Sequence, residues 1–220
     1  MPRMGRSRIY SKKEERANSL SHATGILLGL IAGFVLLSQA ITSGNIWAIS
    51  SVGVYLTGML SCYIASTIYH ALPEGRKKSI LQKFDHASIY LHIAGTYTPF
   101  TLIVLREQGG WGWSLTCFIW AAAFIGVIAS FARSGKHSYI ETACYVLMGS
   151  SIFSAFPVLI QTLNHLGQIE ALYWLVAGGI SYVIGALFYS LAKIPYMHTV
   201  FHFFVLGGSV CHIIAIYSIL

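Results

Sequence analysis

One feature of this chain limits its possible folds more than any other: residues 17–73 contain no Asp, Glu, Lys or Arg. A transmembrane helix needs roughly 20 predominantly apolar residues, so this run is long enough for two. Further charge-free runs cover residues 86–105, 109–132, 142–168, 171–192 and 194–220. Backbone N–H and C=O groups in lipid must bond within the chain, which makes each run a helix. A membrane β-barrel would alternate polar and apolar residues, and these runs do not. Only 10% of the 220 residues are charged, against about 25% in soluble domains. That is too few to coat a water-exposed surface.

The runs predict seven transmembrane helices, at about 20–42, 46–71, 84–105, 111–132, 140–163, 171–192 and 196–218. The first two are separated by a turn-forming cluster, Thr42, Ser43, Gly44 and Asn45. Short connections imply one all-α bundle over residues 20–220, preceded by a basic segment, residues 1–19. Every one of the 14 basic residues except Arg106 falls on one side of this arrangement. Arg3, Arg6, Arg8, Lys12, Lys13 and Arg16 precede helix 1. Arg76, Lys77, Lys78 and Lys83 follow helix 2, Arg133 and Lys136 follow helix 4, and Lys193 follows helix 6. Cytoplasmic loops carry the excess of Lys and Arg. The expected topology is therefore a multi-pass protein of the inner (plasma) membrane, N-terminus cytoplasmic and C-terminus outside. Trp47, Trp111, Trp113 and Trp174 fall at the outer helix ends, where an aromatic belt belongs, while Trp120 lies deeper. The net charge of +7 is accounted for by this topology, so no nucleic-acid partner is implied. The apolar run of helix 1 is longer than a signal-peptide core and reads as a retained helix. Cys62, Cys117, Cys144 and Cys211 all fall within helices and read as small buried apolar residues.

Ionisable groups inside a membrane are costly and usually face an interior site. Helix 2 ends with Ser66 and His70, helix 3 opens with Asp85 and His86, and helix 7 opens with His198 and His202. With alternating helix directions, all of these lie near the cytoplasmic end. Residues i and i+4 share a helix face, so Ser66 and His70 point one way, as do His198 and His202. Three imidazoles from two helices, with one water, would complete a zinc site of the catalytic type. Asp85 could hold that water or support a ligand, and Ser66 could bond a ligand or a substrate oxygen. The plain alternative is a set of interfacial histidines, and His137, in a loop, reads as merely solvated.

These residues resemble the progestin and adipoQ receptor superfamily, particularly its bacterial hemolysin III branch. The marks are the run from Glu15 to His22, Ser66 with His70, Phe84-Asp85-His86, Ala94 to Pro99, and Ile194-Pro195-Tyr196 with His198, His202, Gly207 and Gly208. The resemblance covers nearly the whole chain. It implies a seven-helix bundle with a cytoplasmic N-terminus, zinc (Zn2+) held by His70, His198 and His202, and Asp85 positioning a zinc-bound water. Relatives include alkaline ceramidases, which hydrolyse lipid amides at a similar site. The long N-terminal domain of eukaryotic members is missing here, so hormone recognition is not implied.

Other polar residues have two readings each. Glu15, Asn18 and His22, about a turn apart, line the mouth of a metal cavity or cap helix 1 and bond neighbours. His86 points about 100° away from Asp85 and does not share its metal. His92, two turns deeper on the Asp85 face, reads as a buried hydrogen-bonding group, and His212 as a satisfied interior histidine. Glu141 complements the dipole at the start of helix 5. Gly25, Gly29 and Gly33, like Ser181 and Gly185, form small-residue stripes for close helix approach. Pro99 and Pro157 are placed to kink helices 3 and 5. Three functions remain open: a zinc-dependent hydrolase with catalytic Asp85 and Ser66 acting on a lipid-like amide or ester within the bundle, a channel or lytic pore, and a receptor or regulator of membrane state with structural zinc. Membrane lipids are the expected partners; the oligomeric state is not legible.

Overall fold

A computed structural model describes residues 10–132, 139–191 and 193–220. Arg3, Arg6, Arg8, Arg133, Lys136 and His137 lie outside the described residues. Among the described residues the chain is helical throughout, with no strand. The helices are α1 (Lys12–Thr42), α2 (Ile46–Ala71), α3 (Arg76–Pro99), α4 (Trp111–Ala132), α5 (Tyr139–Ser150), α6 (Phe156–His165), α7 (Ile169–Ser190) and α8 (Met197–Tyr217). A 3-10 segment, Ser151–Ala155, joins α5 to α6, and the two together make one membrane crossing. The result is a seven-rod bundle, a polytopic helical membrane protein.

Six of the seven rods are long and apolar enough to cross a membrane by length and composition. The exception is α3, which carries Lys77, Lys78, Lys83, Asp85, His86 and His92. It packs along α2 on one side and α4 on the other, and Ala94 to Phe100 are all buried. The C-terminal half of α3 is thus enclosed by protein and tolerates a polar residue such as His92 that a lipid-facing helix would not, while Lys77, in the first turn, is exposed. The outer surface is apolar instead: Phe34 is 77% exposed, and Phe124, Leu147, Leu187 and Phe203 also face outward.

Two helices start earlier than the charge pattern predicts. At α1, Ser11 and Glu14 form a capping box. The Glu14 N–H donates to Ser11 Oγ at 3.3 Å, and the Ser11 N–H donates to Glu14 Oε2 at 3.0 Å. This satisfies N–H groups that helix geometry leaves without an intrahelical partner. Helix α1 therefore extends through much of the basic segment. Helix α3 starts at Arg76, after Gly75, whose φ of 153° is easiest for glycine. The two prolines mark departures from α geometry. Pro99 precedes a π turn over Phe100–Val104, and Pro157 stands in the first turn of α6, just past the 3-10 segment.

Glycines set the α1–α2 contact. A Cβ on Gly25 would run into the Tyr63 ring, and one on Gly29 into Leu60. On the opposite wall, Ser181 of α7 donates to the Phe204 carbonyl of α8 at 2.7 Å. The stripes thus serve packing within the bundle. At the other end, Trp47 and Trp113 meet edge to face at 5.6 Å, and the Arg106 guanidinium lies 4.7 Å from the Trp47 ring. The cysteines depart from expectation: Cys62 is buried, but Cys117 and Cys144 face outward. A small polarisable thiol is tolerated against lipid as well as in a core.

Candidate metal centre

The end of the bundle that collects the C-terminus of α2 and the starts of α1, α3 and α8 holds a group of three buried histidines. The Nε2 atoms of His70 and His198 are 3.2 Å apart, and those of His198 and His202 are 3.1 Å apart. Among the described residues, these three form the group whose ligand atoms all lie within 4.8 Å of one another. The i, i+4 spacing on α8 sets His198 and His202 on one face, and His70 meets them from the last turn of α2.

The helix start that delivers His198 is fixed by α1. Tyr196, the residue before α8, has φ 65°, a left-handed conformation uncommon for a non-glycine residue. Its N–H donates to Glu14 Oε1 at 3.1 Å. One turn on, Thr199 Oγ1 donates to Asn18 Oδ1 at 2.5 Å. These contacts hold the N-terminal turns of α1 against the start of α8.

The surroundings decide which ring nitrogens carry protons. The Nδ1–H of His70 donates to Glu15 Oε2 at 2.6 Å, because a carboxylate can only accept. Ser21 Oγ donates to the Asn18 carbonyl at 2.8 Å, leaving its lone pairs for the His202 ring. His202 Nδ1 lies 2.9 Å from Ser21 Oγ and 3.2 Å from the Asn18 carbonyl oxygen, so it too is a donor. In neutral rings these assignments leave Nε2 of both His70 and His202 as lone pairs, each turned toward the group. His198 Nε2 has at most one proton to offer, so at least one of these close nitrogen pairs sets lone pair against lone pair. A cation removes that repulsion. Tetrahedral zinc with Zn–N bonds of about 2.0–2.1 Å holds its nitrogens about 3.3 Å apart, close to the spacing here. The donor set therefore fits zinc. Imidazoles whose far nitrogens donate to a carboxylate or carbonyl are the usual supporting arrangement for zinc-ligating histidines.

Asp85 and Ser66 lie beside this group. The Asp85 carboxyl is next to the Ser66 hydroxyl and within electrostatic reach of the His70 and His86 rings. Both residues line a cavity of about 400 Å³, as do His198 and His202. Its walls are otherwise mostly apolar and come chiefly from α3, α5, α7 and α8. Phe153, Ile180 and Val183 both line the cavity and are exposed on the outer surface. The cavity thus opens sideways, between the α5–α6 rod and α7, onto the face that lipid covers.

Several polar residues have partners that their own helices did not reveal. Glu15, Asn18 and His22 all touch the histidine group, while the capping is done by Ser11 and Glu14. Glu15 bonds His70 and also accepts from Lys78 Nζ at 2.7 Å. His22 stacks on His202, with centroids 3.5 Å apart and planes 15° off parallel. Glu141 does more than complement a helix dipole: it accepts from His86 Nδ1 at 3.0 Å and from Ser130 Oγ at 2.8 Å, tying α3, α4 and α5 together. No pattern along one helix encodes these pairs, because each joins residues of different helices.

Comparison with known proteins agrees with this architecture. The sequence model of the family described as "Haemolysin-III related" matches residues 10–213. Hemolysin-3 of Bacillus cereus is 38% identical over 197 residues, covering 90% of this chain and 87% of its own. The Hemolysin-3 homolog of Bacillus subtilis (strain 168) is 36% identical over 201 residues, covering 91% and 92%. The human Monocyte to macrophage differentiation factor is 31% identical over 215 residues, covering 94% and 84%. With the family model spanning nearly the whole chain, and bacterial and animal relatives aligned over most of their lengths, the chain belongs to the hemolysin III branch of the progestin and adipoQ receptor superfamily.

Proposed function

We propose that this protein is a zinc-dependent membrane hydrolase that cleaves an amide or ester bond in a lipid-like molecule held within the bundle. The reading is carried by one observation: three histidine Nε2 atoms converge at the polar end of an apolar cavity, beside a carboxylate and a hydroxyl. His70, His198 and His202 would hold the metal. When bound, zinc supplies Lewis-acid polarisation of the carbonyl and lowers the pKa of water to about 7. Asp85 takes a proton from the attacking water as its oxygen adds to the carbonyl carbon. It then returns the proton to the departing nitrogen or oxygen as the C–N or C–O bond breaks. Ser66, one turn deeper than His70 on α2, donates a hydrogen bond to Asp85 or to the substrate oxygen. The apolar walls exclude water and accept an acyl chain, which enters from the membrane through the sideways opening.

A site that pins helices together takes four protein ligands, whereas a catalytic one takes three and keeps a position for water or substrate. Three histidines, with Asp85 and Ser66 on the cavity side, favour the catalytic class over a structural pin. The apolar walls argue equally against a channel, because ion pathways are generally lined by carbonyl or charged rings.

The test is made on detergent-purified protein. One zinc per chain is expected by elemental analysis, and none in the His70→Ala, His198→Ala, His202→Ala triple variant; full occupancy in that variant removes the assignment. Asp85→Asn should keep its zinc and lose most hydrolysis in a screen of ceramide-like and acyl-ester lipids in nanodiscs. Turnover that survives Asp85→Asn removes Asp85 as the base.

A further inference from the structure

Away from the metal centre, the same cavity meets a second polar layer. His92 of α3 and His212 of α8 both line it, and they are only 5% and 6% exposed. From Asp85 to His92 along α3, and from His202 to His212 along α8, the helical rise puts this layer about 10–15 Å deeper. The two rings flank Tyr182 of α7, with centroids 6.1 Å and 5.2 Å from its ring. Tyr182 is tied into a hydroxyl cluster: its Oη lies 2.9 Å from Ser209 Oγ, which lies 2.7 Å from Tyr63 Oη. Glycines make room for these rings. A Cβ on Gly178 would collide with the His212 ring, and one on Gly208 would come within 2.7 Å of Tyr182.

Within this layer the Tyr63, Tyr182 and Ser209 hydroxyls are paired, whereas each imidazole has one nitrogen that is not. His92 Nε2 and His212 Nδ1 have no hydrogen-bond partner among the described residues. A buried polar atom without a partner costs about 1–3 kcal/mol, and such atoms in native structures call for an explanation. For His212 the chemistry of the partner follows from the ring. Its Nε2 lies 3.2 Å from the Leu175 carbonyl oxygen, which can only accept. In a neutral ring Nδ1 is then a lone pair, and it needs a donor. A ketone or ester oxygen cannot supply one, whereas a hydroxyl can, and can accept from a neighbouring N–H as well.

We infer that the inner end of the cavity is a recognition site for a hydroxyl carried partway along the lipid chain, held by His212 Nδ1 with His92 as the second polar contact. This deepens the proposed function and rests on it: the ligand places its reactive carbonyl at Asp85 and Ser66, and its hydroxyl in the layer beyond. Specificity comes from the deep site, because a plain acyl chain reaching this layer leaves both nitrogens unbonded. Sites built to hydrogen-bond a hydroxyl discriminate strongly against analogues that lack it.

The experiment is competition against a fluorescent fatty acid, using the full-length protein in phosphatidylcholine nanodiscs. The competitors are stearate, 2-hydroxystearate, 10-hydroxystearate and 12-hydroxystearate. The carboxylate is common to all four, so contacts at the metal end cancel. A mid-chain isomer is expected to bind roughly fivefold to tenfold more tightly than stearate, the scale of one net hydrogen bond. The 2-hydroxy isomer should show no such gain. In His212→Phe the preference should disappear while stearate binding remains, and His92→Phe should reduce it. Equal binding of all four competitors overturns the deep site and leaves the lipid cavity standing, with water as the partner of the two imidazoles. A mid-chain preference that survives both substitutions overturns the assignment to these residues. Failure of every competitor to displace the probe overturns the lipid cavity and the deep site with it. The comparison of isomers on the parent protein needs no variant, so it decides even if a substitution prevents folding.

Discussion

Glu15 is the residue through which the support of the candidate metal centre is best measured. Its carboxylate bridges two groups: Oε2 accepts from His70 Nδ1 at 2.6 Å, and Oε1 accepts from Lys78 Nζ at 2.7 Å. The first contact fixes the tautomer and orientation of His70. The second stabilises a lysine that is only 4% exposed. Loss of such a supporting partner typically costs 10–100-fold in metal affinity, or about 1.4–2.7 kcal/mol. Glu15→Gln keeps an oxygen that can accept from His70 but loses the charge, so it should fall near the lower end, about tenfold. Glu15→Ala removes the acceptor and should fall near the upper end, about a hundredfold. Both should also lower the melting temperature, because Lys78 loses its closest anionic partner and keeps the Leu72 carbonyl at 3.0 Å, Glu74 at 3.7 Å and the Tyr69 ring at 5.0 Å. Lys78→Met separates the two effects: it should lower stability but leave zinc affinity unchanged or raised, because Glu15 then serves His70 alone. The assay is zinc titration against a competing chelator, with melting curves recorded on the metal-free protein. Zinc affinity in Glu15→Ala within twofold of the parent would refute the orientation argument. Equal loss in Lys78→Met would show that general destabilisation is the cause.

Two other outcomes follow from the topology and from the ligand type. Reporter fusions should place the N-terminus and the segment 73–83 in the cytoplasm and Leu220 outside, as the basic residues require; a cytoplasmic C-terminus would contradict an odd number of crossings. Zinc binding uses imidazole lone pairs, and protons compete for them, so affinity should be constant above neutrality and fall progressively below about pH 6. Zinc retained at pH 4 would show that histidines are not the ligands.

The spans were legible because a membrane filters composition so strongly. A lipid-facing helix excludes charge, so the gaps between charges outline the helices, and the basic residues between them give direction. The limits of that signal are just as physical. It reports contact with lipid rather than helicity, so it missed the first turns of α1 and α3, which are helical but polar. The start of α1 did have a local signal in Ser11 and Glu14, whose spacing is that of a capping box. The turns of α3 around Arg76 had no comparable cap. The thiols show the converse: composition reveals that Cys117 and Cys144 lie in helices, and only packing reveals that they face outward.

The same distinction separates the histidine group from what supports it. Candidate ligands could be found on single helices, because an i, i+4 pair and a polar residue at a predicted depth are properties of one segment. The spacing of Glu15, Asn18 and His22 on α1 singled them out as lining a metal cavity or capping the helix, but not the partners they serve, because those belong to α2 and α8. Glu15, Asn18 and His22 are spaced to share one face of α1, and that face lies against the histidines: Glu15 bonds His70, the Asn18 backbone carbonyl accepts from His202, and His22 stacks on it. Glu14, on the neighbouring side of the helix, closes the turn before α8. The polar N-terminal turns of α1 therefore act as one wall of the centre, which accounts for their continuing as helix beyond the apolar span. A chain shortened through Asn18 would keep all three histidines and the body of all seven rods, yet lose Glu15 and the Asn18 carbonyl, the partners of His70 Nδ1 and His202 Nδ1. Its zinc affinity should fall further than in any single supporting variant, even with the bundle intact. That ordering distinguishes a site built from three helices from one that the α2 and α8 histidines assemble unaided.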